Sequence, residues 1–163
     1  MKVIGREVIE LLAENETKVG KLYEAIANSS RMNIGSDFFV SLAKDEYMHH
    51  NYYKEMLADE EGVKALDVEL TEEENSYLHS IMESNVMKYQ DELIEKAKVI
   101  WKEEDAFIIA DKIERETILL VYEILQLYPD FSPELMGKIL REEKRHLSKV
   151  NKAYSEYRMK YNI

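Results

Sequence analysis

Glu46-Tyr47-Met48-His49 and Glu143-Lys144-Arg145-His146 are two copies of one short pattern, a glutamate followed three residues later by a histidine. On a helix, side chains three apart project from one face about one turn apart, so each copy presents a carboxylate and an imidazole together. The chain has four histidines, and two of them stand in this relation to a glutamate. Each copy also has a glutamate upstream at nearly the same distance. Glu16 precedes Glu46 by 30 residues, and Glu114 precedes Glu143 by 29. Two Glu-x-x-His helices and two helices with a single glutamate make up the ligand set of a di-metal site in a four-helix bundle.

Working outward, helix A is expected from about Val3 to Asn28, with Val8, Leu12, Val19, Tyr23 and Ile26 three or four apart around Glu16. The polar run from Asn28 to Gly35 breaks it. Helix B follows from about Asp37 to Glu60, with Phe39, Leu42, Tyr53 and Met56 on one stripe and Gly62 in a terminator's place. Helix C is read from about Lys102 to Leu127, carrying Phe107, Ala110, Ile118, Val121 and Leu125, and Tyr128-Pro129-Asp130 ends it. Ser132 is the expected cap of helix D, with Pro133 at its first position and Met136, Ile139, Leu140, Leu147, Val150 and Tyr154 facing the core.

Between helices B and C, Thr71-Glu72-Glu73-Glu74 fits a capping box, and Leu78, Met82, Val86, Tyr89, Leu93, Ala97 and Ile100 keep a helical period. No Gly or Pro marks the start of helix C, so the internal repeat places it. Glu16 matches Glu114 at an offset of 98, and Glu46 and His49 match Glu143 and His146 at 97. The expected organisation is one domain over residues 1–163: hairpin 3–60, helical crossover 63–101, and hairpin 102–158.

Composition agrees with this class and excludes others. At 163 residues the chain is long enough for one ordinary core, and its five Gly and two Pro favour long helices. The 33 acidic against 22 basic side chains leave a net charge of −11, opposite to what a nucleic-acid surface needs. With no cysteine, disulfides, Cys-ligated zinc, iron–sulfur clusters and a rubredoxin-type iron centre are excluded. No stretch approaches about 18 apolar residues, and residues 1–10 carry no signal-like apolar run, so a cytoplasmic protein without a membrane partner is expected.

Hairpin geometry singles out the same residues. The midpoint of Glu16 and Glu46 is Arg31, in the first polar break, and the midpoint of Glu114 and Glu143 falls between Tyr128 and Pro129, in the second. Folding at those midpoints brings each pair of glutamates to one height. Helical phase then selects Glu16 over Glu14, Glu114 over Glu116 and Glu143 over Glu142, whose neighbours Lys138, Arg145 and Lys149 mark a solvated face. A carboxylate on an apolar stripe needs a partner. No basic residue shares these stripes at that level, whereas two divalent cations would neutralise four glutamates. The candidate metal ligands are therefore Glu16, Glu46, His49, Glu114, Glu143 and His146. His50 is the rival to His49, which is preferred because it alone matches His146 by repeat. His79 reads as a surface or packing residue, and Phe39, Phe107, Tyr53 and Tyr154 read as core filling. Tyr23 and Tyr122, about two turns beyond Glu16 and Glu114, are candidates to hydrogen-bond a ligand.

These residues resemble the ferritin-like di-iron family, and within it the rubrerythrin-like branch. The resemblance rests on Glu16 with Tyr23 seven on, Leu42-Ala43-x-x-Glu46-x-x-His49, Ala110-x-x-x-Glu114-x-x-Thr117-Ile118 and Glu142-Glu143-x-x-His146-Leu147. It implies an all-α, ferritin-like four-helix bundle with a di-iron centre bridged by Glu46 and Glu143, the other four residues being terminal ligands. Rubrerythrins proper also carry a cysteine-ligated rubredoxin domain, which this chain lacks, and a glutamate where this chain has Thr117. The expected function is an oxidoreductase that reduces peroxide or dioxygen with electrons from an external donor protein. Two iron ions are expected, and manganese or zinc suit the same ligands. A homo-oligomer is expected, a dimer first. The alternatives are a ferroxidase or iron-handling protein, and a non-enzymatic metal-binding helical module.

Overall fold

The computed structural model describes residues 5–29, 35–83, 90–98 and 102–162. Every regular element among them is helical. The helices are α1 (Gly5–Ala27), α2 (Ser36–Ala58), the short α3 (Glu60–Val63) with a 3-10 turn at Lys64–Leu66, α4 (Glu72–Met82), α5 (Gln90–Ala97), α6 (Glu103–Leu127) and α7 (Pro133–Tyr161). Helices A to D of the sequence reading are α1, α2, α6 and α7. No helix among the described residues is long and apolar enough to cross a membrane.

Helices α1 and α2 form one antiparallel pair. The Ser36 hydroxyl donates to the Ala27 carbonyl (2.9 Å), the Tyr47 hydroxyl to Glu24 (2.9 Å), and His50 Nδ1 lies 2.7 Å from the Ala13 carbonyl. Gly20 permits the close packing, because a Cβ there would come within 2.8 Å of the Tyr47 ring. Helices α6 and α7 form the second antiparallel pair, marked by Tyr154 donating to Glu104 (2.9 Å) and Asn151 to Asp111 (2.9 Å). The first pair's midpoint, Arg31, lies outside the described residues, as do Val86, Tyr89 and Ile100 of the crossover. The expected capping box is present, with Thr71 Oγ1 accepting from the Glu74 N–H and Glu74 accepting from the Thr71 N–H.

Two apolar clusters fill the interior, and each of the four long helices contributes to both. One holds Leu12, Tyr53, Met56, Leu120, Ile124 and Ile139, and the crossover covers it with Leu66, Leu70, Leu78 and Ile81. The other holds Val19, Tyr23, Phe39, Leu42, Phe107, Ala110 and Val150, with Ala97 of α5 against it. Along every long helix the change from one cluster to the other falls at a glutamate.

Two expected helix boundaries are made differently. Gly62 does not end α2, and no glycine among the described residues has a positive φ. The break is Asp59, with ψ at 96°, and its carboxylate accepts from the Glu61 N–H to start α3. Ser132 does precede α7 and Pro133 opens it, but the serine makes no side-chain cap. Its φ of 40° and ψ of 53° are left-handed, whereas a capping side chain needs extended backbone to reach the first turn. The tight turn burying Tyr128 and Phe131, closed by Phe131 N–H to the Tyr128 carbonyl (3.0 Å), imposes this approach.

A left-handed residue with a Cβ costs about 1–2 kcal/mol, and glycine removes most of that at some expense in chain entropy. Ser132→Gly is accordingly expected to raise the melting temperature by about 2 °C, read by thermal circular dichroism. A decrease would show that the Ser132 side chain stabilises the turn in another way.

Candidate metal centre

The six candidate ligands meet in the layer between the two apolar clusters. Glu16 comes from α1, Glu46 and His49 from α2, Glu114 from α6, and Glu143 and His146 from α7, and none is more than 2 % exposed. His49 Nδ1 lies 2.6 Å from Glu143 Oε1 and 3.3 Å from Glu46 Oε2. His146 Nδ1 lies 3.2 Å from Glu46 Oε1 and 3.6 Å from both Glu114 Oε2 and Glu143 Oε2. Both imidazoles thus point Nδ1 inward, and their rings face each other at 5.5 Å.

The outward nitrogens are held by two carboxylates outside the candidate set. His49 Nε2 is 3.1 Å from Glu142 Oε2, and His146 Nε2 is 3.2 Å from Asp45 Oδ2. Each histidine is therefore oriented by an acid from the opposite hairpin. Asp45 and Glu142 immediately precede the two motif glutamates and match at the repeat offset of 97, which was the available signal. Glu142 is only partly the solvated residue its neighbours suggest, since one oxygen meets Arg145 at 3.2 Å while the other reaches His49. Such a bond keeps a proton on Nε2 and leaves Nδ1 to act as a metal ligand.

Two groups of side chains have ligand atoms close enough to share one cation. Glu16, Glu46, His49 and Glu143 form one, and Glu46, Glu114, Glu143 and His146 form the other, with Glu46 and Glu143 common to both. Each group could hold a metal ion. A further observation concerns polar satisfaction. Glu16 Oε1, Glu46 Oε1, His49 Nδ1, Glu114 Oε2, Glu143 Oε1 and His146 Nδ1 are buried without a directional hydrogen bond, one atom from each of the six residues. The short His49–Glu143 approach is an ion-pair distance rather than an aligned bond. Buried polar atoms without a directional hydrogen bond are rare in folded proteins, and bound cations would account for six that converge.

In the metal-free protein, protons do part of this work. Burial, then the charges of Glu143 and Glu46, push Glu16 well above the ordinary carboxylate range. Burial and then Glu46 do the same to Glu114. Burial would lower the His49 pKa, but Glu143 and Glu46 outweigh it and raise it to about 12. His146 is likewise raised against its burial, by Glu114, Glu143 and Glu46. Burial would raise Glu143, but its close approach to both histidines outweighs that and holds it low.

The remaining candidates separate clearly. His50 is turned away from the centre, with Nδ1 on the Ala13 carbonyl and 3.0 Å from the Thr17 hydroxyl, so it is no rival to His49. His79 lies in the last turn of α4, outside both groups. Tyr23 does bond a candidate ligand, but across the hairpins: its hydroxyl donates to Glu114 Oε1 at 2.6 Å. Tyr122 is 46 % exposed and does not serve as expected. It stands eight residues after Glu114 rather than seven, which turns it about 100° off the stripe, and the repeat places Val121 opposite Tyr23. Tyr53 is core filling only in its ring. Its buried hydroxyl has no hydrogen-bond partner, and burial, then Glu16, Glu143 and Glu46, raise its pKa.

No family model, curated protein or solved structure matches the chain.

The electrostatics give a signed pH dependence. Glu16, Glu114 and His49 all have raised pKa values, so the folded metal-free protein holds protons that the unfolded chain releases. Their stabilisation is complete below the unfolded values, near 4.3 for Glu and 6.5 for His, and is lost as pH rises toward the folded ones. Metal binding displaces the same protons and is favoured as pH rises. The melting temperature of metal-free protein should therefore fall between about pH 6 and pH 9 while the increment from added metal grows. A metal-free melting temperature that climbs across this range would contradict the charge arrangement.

The outward bonds make a second prediction. Asp45→Ala and Glu142→Ala should each weaken metal binding by about 10–100-fold while keeping the stoichiometry, measured by titration calorimetry.

Proposed function

We propose that this chain is a ferritin-like four-helix bundle, rubrerythrin-like in its ligands, which holds two iron ions and reduces peroxide or dioxygen with electrons from an external donor protein. The observation that carries the reading is the convergence in one layer of a buried atom without a directional hydrogen bond from each of Glu16, Glu46, His49, Glu114, Glu143 and His146. The sharing of Glu46 and Glu143 between both groups supports their role as bridges, with the other four as terminal ligands. A mixed carboxylate and imidazole set suits iron, although manganese and zinc compete for it. When bound, a ferrous pair supplies two electrons to an oxidant and stabilises negative charge developing on oxygen.

The side chains supply position and neutrality. Four glutamates balance two divalent charges, so the loaded layer can sit between apolar clusters without a large desolvation penalty. Asp45 and Glu142 fix the histidine rings. Tyr23 holds one oxygen of Glu114 and leaves the other inward. A groove of about 330 Å³ lined by Asp45, Met48, Glu142, Arg145 and His146 gives a small oxidant a way to the α2 and α7 side of the layer. Thr117 offers a neutral hydroxyl where the rubrerythrins offer a carboxylate, so position 117 supplies no additional anionic ligand.

Metal analysis of protein purified without added metal is the direct test, with two ions per chain expected. Glu46→Ala and Glu143→Ala should lose both ions, whereas Glu14→Ala, on an exposed face, should lose neither. Equal losses in all three would sink the ligand assignment. Rapid mixing of Fe(II)-loaded protein with each oxidant should show oxidation by dioxygen as well as peroxide, because Thr117 removes the additional carboxylate. Inertness to dioxygen with fast oxidation by peroxide would refute the Thr117 argument, and inertness to both would refute the oxidoreductase reading.

A further inference from the structure

The aromatic side chains near the candidate centre lie in a row that leads out of the protein. It starts at Tyr23, whose hydroxyl is on Glu114. The Tyr23 ring is 5.7 Å from Phe39, Phe39 is 5.5 Å from Phe107, and Phe107 is 5.8 Å from Tyr154 and 5.6 Å from Tyr157. Tyr157 is in turn 4.9 Å from Tyr161. Exposure rises along the same line. The first three rings are fully buried, Tyr154 and Tyr157 are half-buried, and Tyr161 is 46 % exposed. The repeat offers no counterpart on the other side, where Val121 stands for Tyr23.

The geometry points to a relay by which an oxidising equivalent left at the centre moves through this row to Tyr154 and Tyr157, where the external one-electron donor, for which ascorbate can stand in, removes it. The inference rests on the di-iron reading for the source of the oxidising equivalent. Electron tunnelling falls steeply across gaps, and neighbouring rings with centroids 5.5 to 5.8 Å apart leave no wide one between Tyr23 and the C-terminal part of α7. Phenylalanine is too hard to oxidise to hold the hole, so Phe39 and Phe107 act as medium. Tyrosine can hold it if its phenol proton has an acceptor nearby. Tyr154 has one in Glu104, whose Oε1 accepts from its hydroxyl at 2.9 Å.

The step balances on those two side chains. Tyr154 gives one electron inward to the oxidised centre and its phenol proton to the Glu104 carboxylate, leaving a neutral tyrosyl radical and a carboxylic acid. The external donor, or ascorbate in its place, then supplies one electron, and the proton returns from Glu104 to the phenolate oxygen. The tyrosine is restored, the centre is one electron further reduced, and the reductant is one electron further oxidised. Glu104 is ten residues from Glu114 and belongs to neither candidate metal group, so the proton stays at the surface end.

The relay can be tested without bound metal. The chain has no cysteine, so a ruthenium photo-oxidant attached to a Met48→Cys variant, on the rim of the groove beside His146, is uniquely placed. Flash oxidation, with a cobalt(III) ammine taking the electron from the excited ruthenium, in the presence of a spin trap should put the adduct, located by peptide mass spectrometry, on the segment holding Tyr154, Tyr157 and Tyr161, and ascorbate should suppress it. Adding Phe107→Leu should cut that yield several-fold. Adding Tyr154→Phe with Tyr157→Phe, two half-buried positions that tolerate the change, should cut it at least as far. No adduct on this segment, or a yield unchanged by both sets of substitutions, overturns the relay. The same trap applied to iron-loaded protein treated with peroxide separates the two readings. Light-driven transfer without any peroxide-driven adduct leaves the relay standing and removes its proposed source. A peroxide-driven adduct insensitive to Phe107→Leu and to the paired tyrosine substitutions removes the relay and keeps the centre.

Discussion

Four carboxylates buried in one layer cannot all carry charge unless something positive lies among them, and the rest of this structure is arranged around that constraint. An isolated buried carboxylate costs several kcal/mol even after relaxation. Glu16, Glu46, Glu114 and Glu143 nevertheless occupy the four long helices at one level, where ordinary core packing would place aliphatic side chains. Protons and two imidazolium groups supply the balance in the metal-free protein. The layer is therefore one whose oxygens take up protons in the metal-free protein and could hold cations in their place.

The compensation is also what joins the two halves. Within each antiparallel pair the packing is continuous, but the polar bonds of the centre run mainly between pairs: Glu142 to His49, Asp45 to His146, Tyr23 to Glu114. On the outer side of the layer, Lys138 of α7 donates to the Tyr52 hydroxyl of α2 at 2.6 Å. Neither hairpin alone satisfies its own histidine. The crossover adds apolar cover to this arrangement, with Leu66, Leu70, Leu78 and Ile81 over one cluster and Ala97 over the other.

Much of this could be read from residues before any coordinates. Apolar periodicity, and the internal repeat for the start of α6, located the long helices to within about three residues, because low Gly and Pro content left few competing conformations. Helical phase chose Glu16, Glu114 and Glu143 over Glu14, Glu116 and Glu142, since a rotation of about 100° per residue separates core from surface sharply, and the repeat chose His49 over His50. The same sharpness hid Asp45 and Glu142. They are one position off the stripe, and a side chain from that boundary reaches inward only if a partner waits on the facing helix. Tyr122 failed for a related reason, as eight residues do not close two turns. Ser132 and Gly62 have the residue types of helix boundaries, but a buried aromatic turn governs the first and Asp59 pre-empts the second. Local chemistry proposes such boundaries, and tertiary packing decides among them.

The repeat has a consequence for how such a centre can be built. A single hairpin carrying one glutamate and, about thirty residues later, an acid-Glu-x-x-His segment contains every side chain that one half contributes. Two separate copies related by a two-fold axis would meet all the polar requirements of the layer, each orienting the other's histidine. Covalent connection through the crossover replaces that encounter with a local one at high effective concentration. It also frees the halves to diverge. Tyr23 and Tyr53 of the first hairpin correspond by the repeat to Val121 and Val150 of the second, so both phenols at these positions come from one hairpin. A symmetric pair of identical hairpins cannot have such a difference between its two sides. Joining the hairpins in one chain is what allows this asymmetry here.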